Sequence, residues 1–363
     1  MDHAEKLATL RLIRTHNIGP MTFSLLIRRF GSACDALAAV PELSKRGGRK
    51  ITLAATSLAE AEIEANTSAG AQLIFKGDDA YPPRLAQFDD TPPVISVCGN
   101  THLLHRPMIA MVGARNASIN AQRHGEKLAE ELTGEGYVIV SGLARGIDTA
   151  AHNGALQGGT VAVIAGGIDV VYPPENEDLQ NAIAQTGLLL AEMPPGTTPT
   201  PRHFPIRNRI IAGMAVGTVV IEAAERSGSL ITAREASERG GEVMAIPGSP
   251  LDPRAAGCNH LIREGATLVQ NHLDIIEALS NAVEVRAPAH REPDAYFVAS
   301  SEQDITIARN AILSGLAAEP IEIDELTRWC KVSPASVHAA ILELELAGFL
   351  LRLHGNRVSK ILI

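Results

Sequence analysis

The fold expected for this chain of 363 residues follows from the stretch Met108-Ile109-Ala110-Met111-Val112-Gly113-Ala114-Arg115. Its first five residues are apolar without the alternation of a half-exposed strand, so they predict a strand that is buried on both faces. A turn of small residues closes the strand, and a helical stretch follows it. These features indicate one strand-turn-helix unit of a parallel sheet.

The same unit recurs through the middle of the chain. Further short apolar runs lie at residues 138–140, 161–164, 188–190, 219–221, 243–246 and 267–269. Buried strands that alternate with helices predict an α/β fold with an extended, doubly wound, mostly parallel Rossmann-like sheet. We assign this domain to residues 67–282, of which the proline-containing residues 67–106 form a lead-in connector.

The two ends of the chain have other patterns. Residues 1–66 carry apolar residues at helical spacings and predict a small helical domain. Residues 283–300 are polar and contain proline, which is typical of a linker. Residues 301–363 predict a winged helix, with a Ser-Pro helix start and two short strands as the wing. Because residues 332–351 lack Lys and Arg, we expect this winged helix to dock on another protein or subunit rather than to read DNA.

The composition excludes several classes of protein. Four cysteines are scattered singly, which argues against a disulfide framework or a metal site and predicts reduced thiols. The start of the chain has no signal-peptide profile, and no apolar run approaches the ~18 residues that a membrane helix needs. We therefore expect a cytoplasmic protein without a membrane anchor. With a formal net charge of -9, any nucleic-acid binding must depend on a focused patch.

One such patch lies in Phe204-Pro205-Ile206-Arg207-Asn208-Arg209-Ile210-Ile211-Ala212-Gly213. Residues 193–221 contain no Asp or Glu but do contain Arg202, Arg207 and Arg209. Such a window predicts a local anion site, since attraction to a phosphate acts over roughly 8 Å at physiological salt. Phe204 lies among these cations, and an aromatic ring beside arginines suits single-stranded nucleic acid.

The turns that close the predicted strands complete the candidate site. Ligands of an open parallel sheet bind beyond the carboxyl ends of its strands, where glycines let the backbone approach an anion and an arginine can contact phosphate. The residues that we predict to contact DNA are Gly113, Arg115, Ser141, Gly142, Arg145, Gly166, Gly167, Arg202, Phe204, Arg207, Asn208 and Arg209.

Enzyme motifs are missing from the sequence. The first turn has one glycine and an arginine in place of G-x-G-x-x-G, and no P-loop, G-x-S-x-G or H-E-x-x-H string occurs. We assign structural roles to three carboxylates near strand ends: Asp148 begins a helix, Glu222 holds one of the arginines 207 and 209, and Glu192 is assigned a structural role without a named partner. Two alternatives remain open, an enzyme that acts on a nucleotide with Asp148 or Glu222 as acid-base groups, and an interaction scaffold.

Several motifs together resemble the DNA-processing protein A family (DprA, also called Smf). They are Gly113-Ala114-Arg115, Ser141-Gly142-Leu143-Ala144-Arg145-Gly146-Ile147-Asp148, the Phe204 stretch, Ser227-Gly228-Ser229-Leu230-Ile231-Thr232 and Gly257-Cys258-Asn259-His260. The resemblance covers the central domain and extends to a sterile-alpha-motif-like (SAM-like) helical domain in front and a winged helix behind. At Ala114 the chain departs from the family, which often has Ser or Thr there.

The resemblance implies a protein without catalytic residues, metal or cofactor. Its members bind single-stranded DNA during natural transformation, protect that DNA and help to load the RecA recombinase onto it. They are typically homodimers through the Rossmann-like domain. Carried onto this chain, the resemblance implies that Arg115 and the arginines around Phe204 contact phosphates.

Overall fold

The computed structural model describes residues 1–285, 301–353 and 356–361. Four helices come first. Their bounds are α1 (His3–Ile13), α2 (Pro20–Phe30), α3 (Ala33–Arg46) and α4 (Thr56–Ser68). Asp2 and Ser32 cap the first and third helices by accepting backbone N–H bonds, and Pro20 occupies the first turn of the second, where it costs no helical hydrogen bond.

The central region is a sheet of nine strands with helices packed on it. Its strands are β1 (Gln72–Phe75), β2 (Val94–Gly99), β3 (Met108–Gly113), β4 (Val138–Ser141), β5 (Thr160–Gly167), β6 (Leu188–Met193), β7 (Gly217–Ile221), β8 (Glu242–Ala245) and β9 (Thr267–Leu268). Its helices are α5 (Ile119–Gly134), α6 (Ile147–Ala155), α7 (Glu177–Thr186), α8 (His203–Met214), α9 (Ser229–Glu238), α10 (Ala256–Arg263) and α11 (His272–Val285).

The strand order is β1-β2-β6-β5-β4-β3-β7-β8-β9. Strands β3 to β9 are parallel to one another, which confirms the predicted doubly wound sheet. β3 is buried on both faces as expected: Met108 and Val112 pack into one hydrophobic cluster, and Ile109 and Met111 pack into the other. The order reverses at β3, so the loops after β3 and β7 diverge and leave a crevice between them.

The lead-in region differs from the prediction. Instead of a connector alone, it contributes β1 and β2, which pair antiparallel with each other, and β2 also pairs antiparallel with β6. The prolines that we assigned to a connector lie between these two strands, where Pro cannot interrupt a ladder hydrogen bond. The tyrosine of this connection, Tyr81, is buried and donates to the carbonyl of Pro92 at 2.7 Å.

The C-terminal region confirms the winged helix. It comprises α12 (Glu302–Gly315), β10 (Ile321–Glu322), α13 (Ile323–Cys330), α14 (Pro334–Leu346), β11 (Leu350–Leu353) and β12 (Arg357–Lys360), with sheet order β10-β12-β11. Ser333 caps α14 by accepting from the N–H of Ser336, and Pro334 follows at the first position, as the sequence predicts. The predicted linker 283–300 lies, apart from its first three residues at the end of α11, outside the described residues.

Two compact units result from this arrangement. One comprises Met1–Glu60 with the described residues of Pro288–Ile363, and the other comprises Ala61–Ala287. Leu342 and Leu346 of α14 pack into one hydrophobic cluster with residues of α1, α2 and α3. The sequence predicts that the winged helix docks on another protein or subunit, but here it docks on the N-terminal helices of its own chain. The predicted domain boundaries stay predictions.

Three further features of the described residues bear on the predicted class. None of their helices combines the length and apolar character that crossing a bilayer requires. The part of the chain that the structure describes holds no cluster of His, Cys, Asp or Glu arranged for a metal ion. Cys34, Cys98, Cys258 and Cys330 are all free thiols.

Candidate nucleic-acid interface

A cleft of about 560 Å³ lies beyond the carboxyl ends of the central strands, at the crevice between β3 and β7. Residues that follow β3, β4, β7 and β8 line it, together with the first turns of α8 and α9. A smaller pocket of about 200 Å³ adjoins it and extends towards Arg145 and Tyr172. Arg115, Ala144 and Phe204 line both, so they form the ridge that separates the two.

Arg115 is the exposed cation of this ridge. Its guanidinium carbon lies 4.9 Å from the centre of the Phe204 ring, a cation–π geometry that orients the side chain. Phe204 in turn packs against Tyr172, with ring centres 5.7 Å apart. Gly113 sets where this turn runs, because a Cβ there would lie 1.9 Å from the carbonyl oxygen of Ile221 on the neighbouring strand. The structure therefore brings Arg115 and Phe204 together, as the sequence predicts for neighbours at one site.

Arg207 has a different role from the one predicted. Its side chain is buried, and its guanidinium donates to the carbonyl oxygens of Gly142 and Val163, while its Nε donates to Asn208 at 3.2 Å. A Cβ at Gly142 would lie 2.3 Å from Nη1 of Arg207, so this glycine makes room for the guanidinium rather than for a phosphate. The prediction that Arg207 contacts phosphate directly is corrected: its guanidinium joins the turn after β4 to the middle of β5.

A buried carboxyl group lies near this arginine. Asp148 lies at the start of α6, as predicted, and accepts a hydrogen bond from the N–H of Ala144 at 3.2 Å. Burial raises the pKa of Asp148 above its usual value, although the charge of Arg207 and the N–H of Ala144 act in the opposite direction. Burial lowers the pKa of Arg207 to about 10, which leaves it charged at neutral pH. Because both groups are buried in the floor of the cleft, the cations that can meet a ligand are the exposed ones.

Arg209 is also an internal residue. It donates to the carboxylate of Glu192 and, at 2.6 Å, to the carbonyl of Asp90, and its side chain is 12% exposed. The sequence assigns Glu222 as the partner of an arginine in this stretch, but Glu222 instead accepts from the N–H of Ser118 at 2.8 Å and from its hydroxyl. Glu192 is the true partner, so the predicted direct phosphate contact of Arg209 is corrected as well.

Three more predicted residues face the protein interior. Ser141 is buried and donates to the carbonyl of Met111 at 2.6 Å. Gly166 and Gly167 pack against residues 194–199: the N–H of Gly167 donates to the carbonyl of Thr197 at 2.9 Å, and a Cβ at Gly166 would lie 2.8 Å from that same oxygen. The small size of these two glycines permits close packing between segments. The sequence does not distinguish this role from anion binding, because both require a glycine at the end of a strand.

The remaining predicted residues are accessible. Arg145 lines the smaller pocket, with its guanidinium 3.7 Å from Glu175 and both side chains more than half exposed. Such an exposed pair is weak and leaves Arg145 available to another anion. Asn208 lines the larger cleft beside Arg207. Arg202 is exposed just before α8 but lines neither cavity.

Two arginines of the cleft were missed by the sequence reasoning. Arg226 and Arg254 also line the cleft, and Arg226 directly precedes the Ser227-Gly228-Ser229 turn that opens α9. Arg226 is exposed, and Arg254 is paired at 2.7 Å with Asp252. Both arginines lie close to acidic residues in the sequence, so neither falls in an acid-free window. The position of Arg226 directly before a small-residue helix start was the available indication.

Three family models match the chain. Residues 72–280 match the family model described as DNA recombination-mediator protein A. Residues 3–65 match the DprA-like N-terminal HHH domain, where the resemblance implies a SAM-like domain, and residues 299–356 match the DprA winged helix domain.

Individual relatives agree with these matches. The chain is 50% identical over 201 residues to DNA processing protein DprA of Streptococcus pneumoniae, which is 55% of this chain and 71% of that protein. It is 37% identical over 289 residues to protein Smf of Escherichia coli, which is 79% of this chain and 76% of that protein.

Two solved structures are similar to this one. The S. pneumoniae DNA processing protein A aligns with a TM-score of 0.64 and 39% identity over 76% of this chain and 98% of that one. DNA processing protein A of Helicobacter pylori, studied for its single-stranded DNA binding mode, aligns with a TM-score of 0.53 and 29% identity over 58% of this chain and 96% of that one.

Proposed function

The chain belongs to the DNA recombination-mediator protein A (DprA) family, and from this membership we propose that it binds single-stranded DNA in the central cleft. The observation that supports this most directly is the exposed Arg115 held over Phe204 at the ridge between two cavities. The relative from H. pylori has been studied as a single-stranded DNA-binding protein. The strand would cross this ridge, with successive nucleotides on either side of it.

Each ridge residue has a physical task in this proposal. Arg115 donates to a backbone phosphate, since its planar guanidinium suits a bidentate contact. Phe204 fixes the direction of Arg115, and the exposed aromatic surface that it forms with Tyr172 receives a base. Stacking of this kind contributes about 1–3 kcal/mol per base without sequence preference. The buried pair Asp148 and Arg207 keeps the loop ends in place beneath the ridge.

The wider role follows from the family. We propose that the protein protects incoming single-stranded DNA during natural transformation, helps to load the RecA recombinase onto it, and acts as a homodimer through the central domain. Support comes from relatives named DNA processing protein and from the recombination-mediator family itself. A strand-exchange assay with RecA, with and without this protein, tests the loading step, and light scattering tests the dimer.

Arg115→Ala tests the site. Its matched control is Arg123→Ala, which removes the same charge from an exposed position on α5. Fluorescence anisotropy with oligo-dT of increasing length should show tighter binding with length for the protein and for the control, and a loss of about 1–3 kcal/mol for Arg115→Ala, as for a charged hydrogen bond. Equal losses in both variants would contradict the site.

An enzyme acting on a nucleotide remains the second candidate. The observation in its favour is Asp148, a buried carboxylate that lines the cleft. Titration with deoxythymidine monophosphate separates the two functions. Saturation by the mononucleotide, with no gain for longer strands, would favour the enzyme, whereas affinity that grows with strand length favours the binding protein.

A further inference from the structure

The N-terminal helices form a basic region in an acidic protein. Residues 1–60 contain nine Lys or Arg and five Asp or Glu, whereas the whole chain has 32 and 41. Three of these cations are Arg29 near the end of α2, Arg46 at the end of α3, and Arg49 just after it. We call these three the N-terminal basic face; Arg46 and Arg49 contact the winged helix directly, and Arg29 is near enough for its charge to act on Glu343.

Acidic side chains of the winged helix lie against this face. The carboxylate of Glu343, on α14, is buried and accepts a hydrogen bond of 2.6 Å from Arg309. Burial raises the pKa of Glu343, whereas nearby arginines lower it, and two of those arginines are Arg46 and Arg29. Arg46 also donates to Glu302 at 2.6 Å. Glu302 is therefore the direct counter-charge to Arg46, whereas Glu343 forms its ion pair with Arg309 of α12, inside the winged helix, and acts on Arg46 and Arg29 only through its charge.

Backbone and ring contacts bring the same surfaces close together. A Cβ at Gly47 would lie 2.1 Å from the carbonyl oxygen of Glu343, so only glycine permits this approach of α3 to α14. The guanidinium carbon of Arg49 lies 4.3 Å from the centre of the Phe349 ring, which follows α14. In the cluster Lys45-Arg46-Gly47-Gly48-Arg49-Lys50 only Gly47 is buried, so the winged helix contacts Arg46 and Arg49 while part of each side chain stays exposed.

Apolar packing completes the interface. Leu342 and Leu346 are almost fully buried, and they belong to the hydrophobic cluster of the N-terminal helices rather than to the core of the winged helix. At the end of α14, a Cβ at Gly348 would lie 2.8 Å from the side-chain amide of Asn17, in the turn between α1 and α2. The helix that enters the DNA groove in related DNA-reading folds is used here for internal docking.

We propose that the N-terminal basic face, formed by Arg29, Arg46 and Arg49, is a second binding site for the phosphate backbone of nucleic acid, and that the winged helix covers it. Glu343, Glu302 and the Phe349 ring occupy the positions that phosphates and a base would take. The cover is built from the same chemistry as the ligand: anions against guanidinium groups and an aromatic ring against Arg49.

Covering a site in this way lowers its apparent affinity by the fraction of molecules in which it is open. Nucleic acid then competes with the winged helix for the same arginines, so a change that weakens the docking of α14 increases binding. The site differs from the central cleft, because its cations belong to the other compact unit.

Gly47→Ala in the full chain opens the cover. Gly47 has φ -66, so alanine fits the end of α3 itself, while its methyl group displaces α14. The measurement is made together with Arg115→Ala, so that binding at the central cleft is reduced. We expect the affinity for oligo-dT and for a DNA duplex at low salt to rise about tenfold over Arg115→Ala alone. Adding Arg46→Ala and Arg49→Ala should cancel this gain.

The control is Gly134→Ala, where an added Cβ meets nothing within 4 Å. Hydrogen exchange of α14 reports opening directly, and Leu346→Ala is the second variant, which weakens docking without a steric clash. Faster exchange of α14 without tighter binding overturns the proposal, as does a gain that survives loss of Arg46 and Arg49. Unchanged exchange in both variants also overturns it, because the cover then does not depend on this contact. Because each affinity is compared with that of Arg115→Ala alone, the result does not depend on whether the central cleft binds DNA.

Discussion

Gly142 and Arg207 show how one missing side chain positions a buried charge. The guanidinium of Arg207 occupies the space beside Gly142 that a Cβ would fill, and it donates to the carbonyls of Gly142 and Val163. We expect Gly142→Ala to displace this guanidinium and to lower the free energy of unfolding by about 3–5 kcal/mol, because the charge stays buried without its partners.

Urea unfolding of the full chain measures this loss. Gly134→Ala again serves as the control, and its effect should stay within about 1 kcal/mol, since an exposed helical glycine has no neighbour to displace. Similar values for both variants would show that Arg207 is held by contacts other than these.

His152 makes the central unit sensitive to acid. Its ring is fully buried, with Nδ1 2.7 Å from the hydroxyl of Thr160, and burial lowers its pKa to about 3 from 6.5. Below pH 6.5 the unfolded chain binds a proton at this histidine that the folded chain excludes. The free energy of unfolding is therefore highest above pH 6.5 and falls as the pH drops towards 3. We expect a loss of about 1.4 kcal/mol per pH unit in that range.

His152→Gln removes this group, so its unfolding free energy should change less between neutral and mildly acidic pH than that of the parent chain. Hydrogen exchange of β4 and β5 at each pH follows the central unit alone. An equal pH dependence in both proteins, or an NMR titration that places the His152 pKa near its usual value, would contradict this assignment.

The sequence does not predict whether a given side chain points into the protein or towards solvent. The acid-free window around residue 204 predicts a concentration of cations, and the window does contain three arginines. Whether a cation points outward depends on packing: Arg207 and Arg209 point into the protein towards strand ends, while Arg115 stays exposed. Glycines pose the same problem, since a strand-end glycine serves close packing and anion binding equally well.

At the scale of elements, the sequence predicts β3 to β9 because each is a continuous apolar run, and burial on both faces produces that pattern. β1 and β2 are not predicted in the same way, because the two Pro-Pro pairs in the chain between them indicate a connector. The strand order places the loops of the predicted site at one edge of the sheet, while the binding of a ligand there stays a prediction. Arg254, in the loop after β8, is the residue that spacing alone does not reveal.

The loops after β7 and β8 should contribute to binding through their arginines. Loss of Arg226 and Arg254 together should weaken oligo-dT binding and make the slope of log K against log salt shallower by about 1.4, since each neutralised phosphate of a single strand contributes about 0.7. Anisotropy across a salt series measures the slope. Arg234→Ala, on an exposed position of α9, provides the control and should leave it unchanged. A loss of affinity without a change in slope would assign these arginines a structural role.

The whole molecule separates its charges between its two units. The described residues 61–285 contain 15 Lys or Arg and 26 Asp or Glu, so the net charge of the central unit repels a polyanion, and the arginines of its cleft act against that charge. The N-terminal helices have the opposite balance, but the winged helix neutralises part of it. Binding is thereby confined to small regions of a protein whose net charge of -9 disfavours general coating of DNA.

The union of both chain ends in one unit has a consequence for biosynthesis. The helices of residues 1–60 are synthesised before the central domain, but α14, which completes their hydrophobic cluster, is synthesised after it. The central domain has all of its own strands and can fold in between, since domains fold as units during synthesis. The N-terminal helices are therefore made before the central domain but reach their final packing after it, and until α14 emerges they expose the apolar surface that Leu342 and Leu346 later cover.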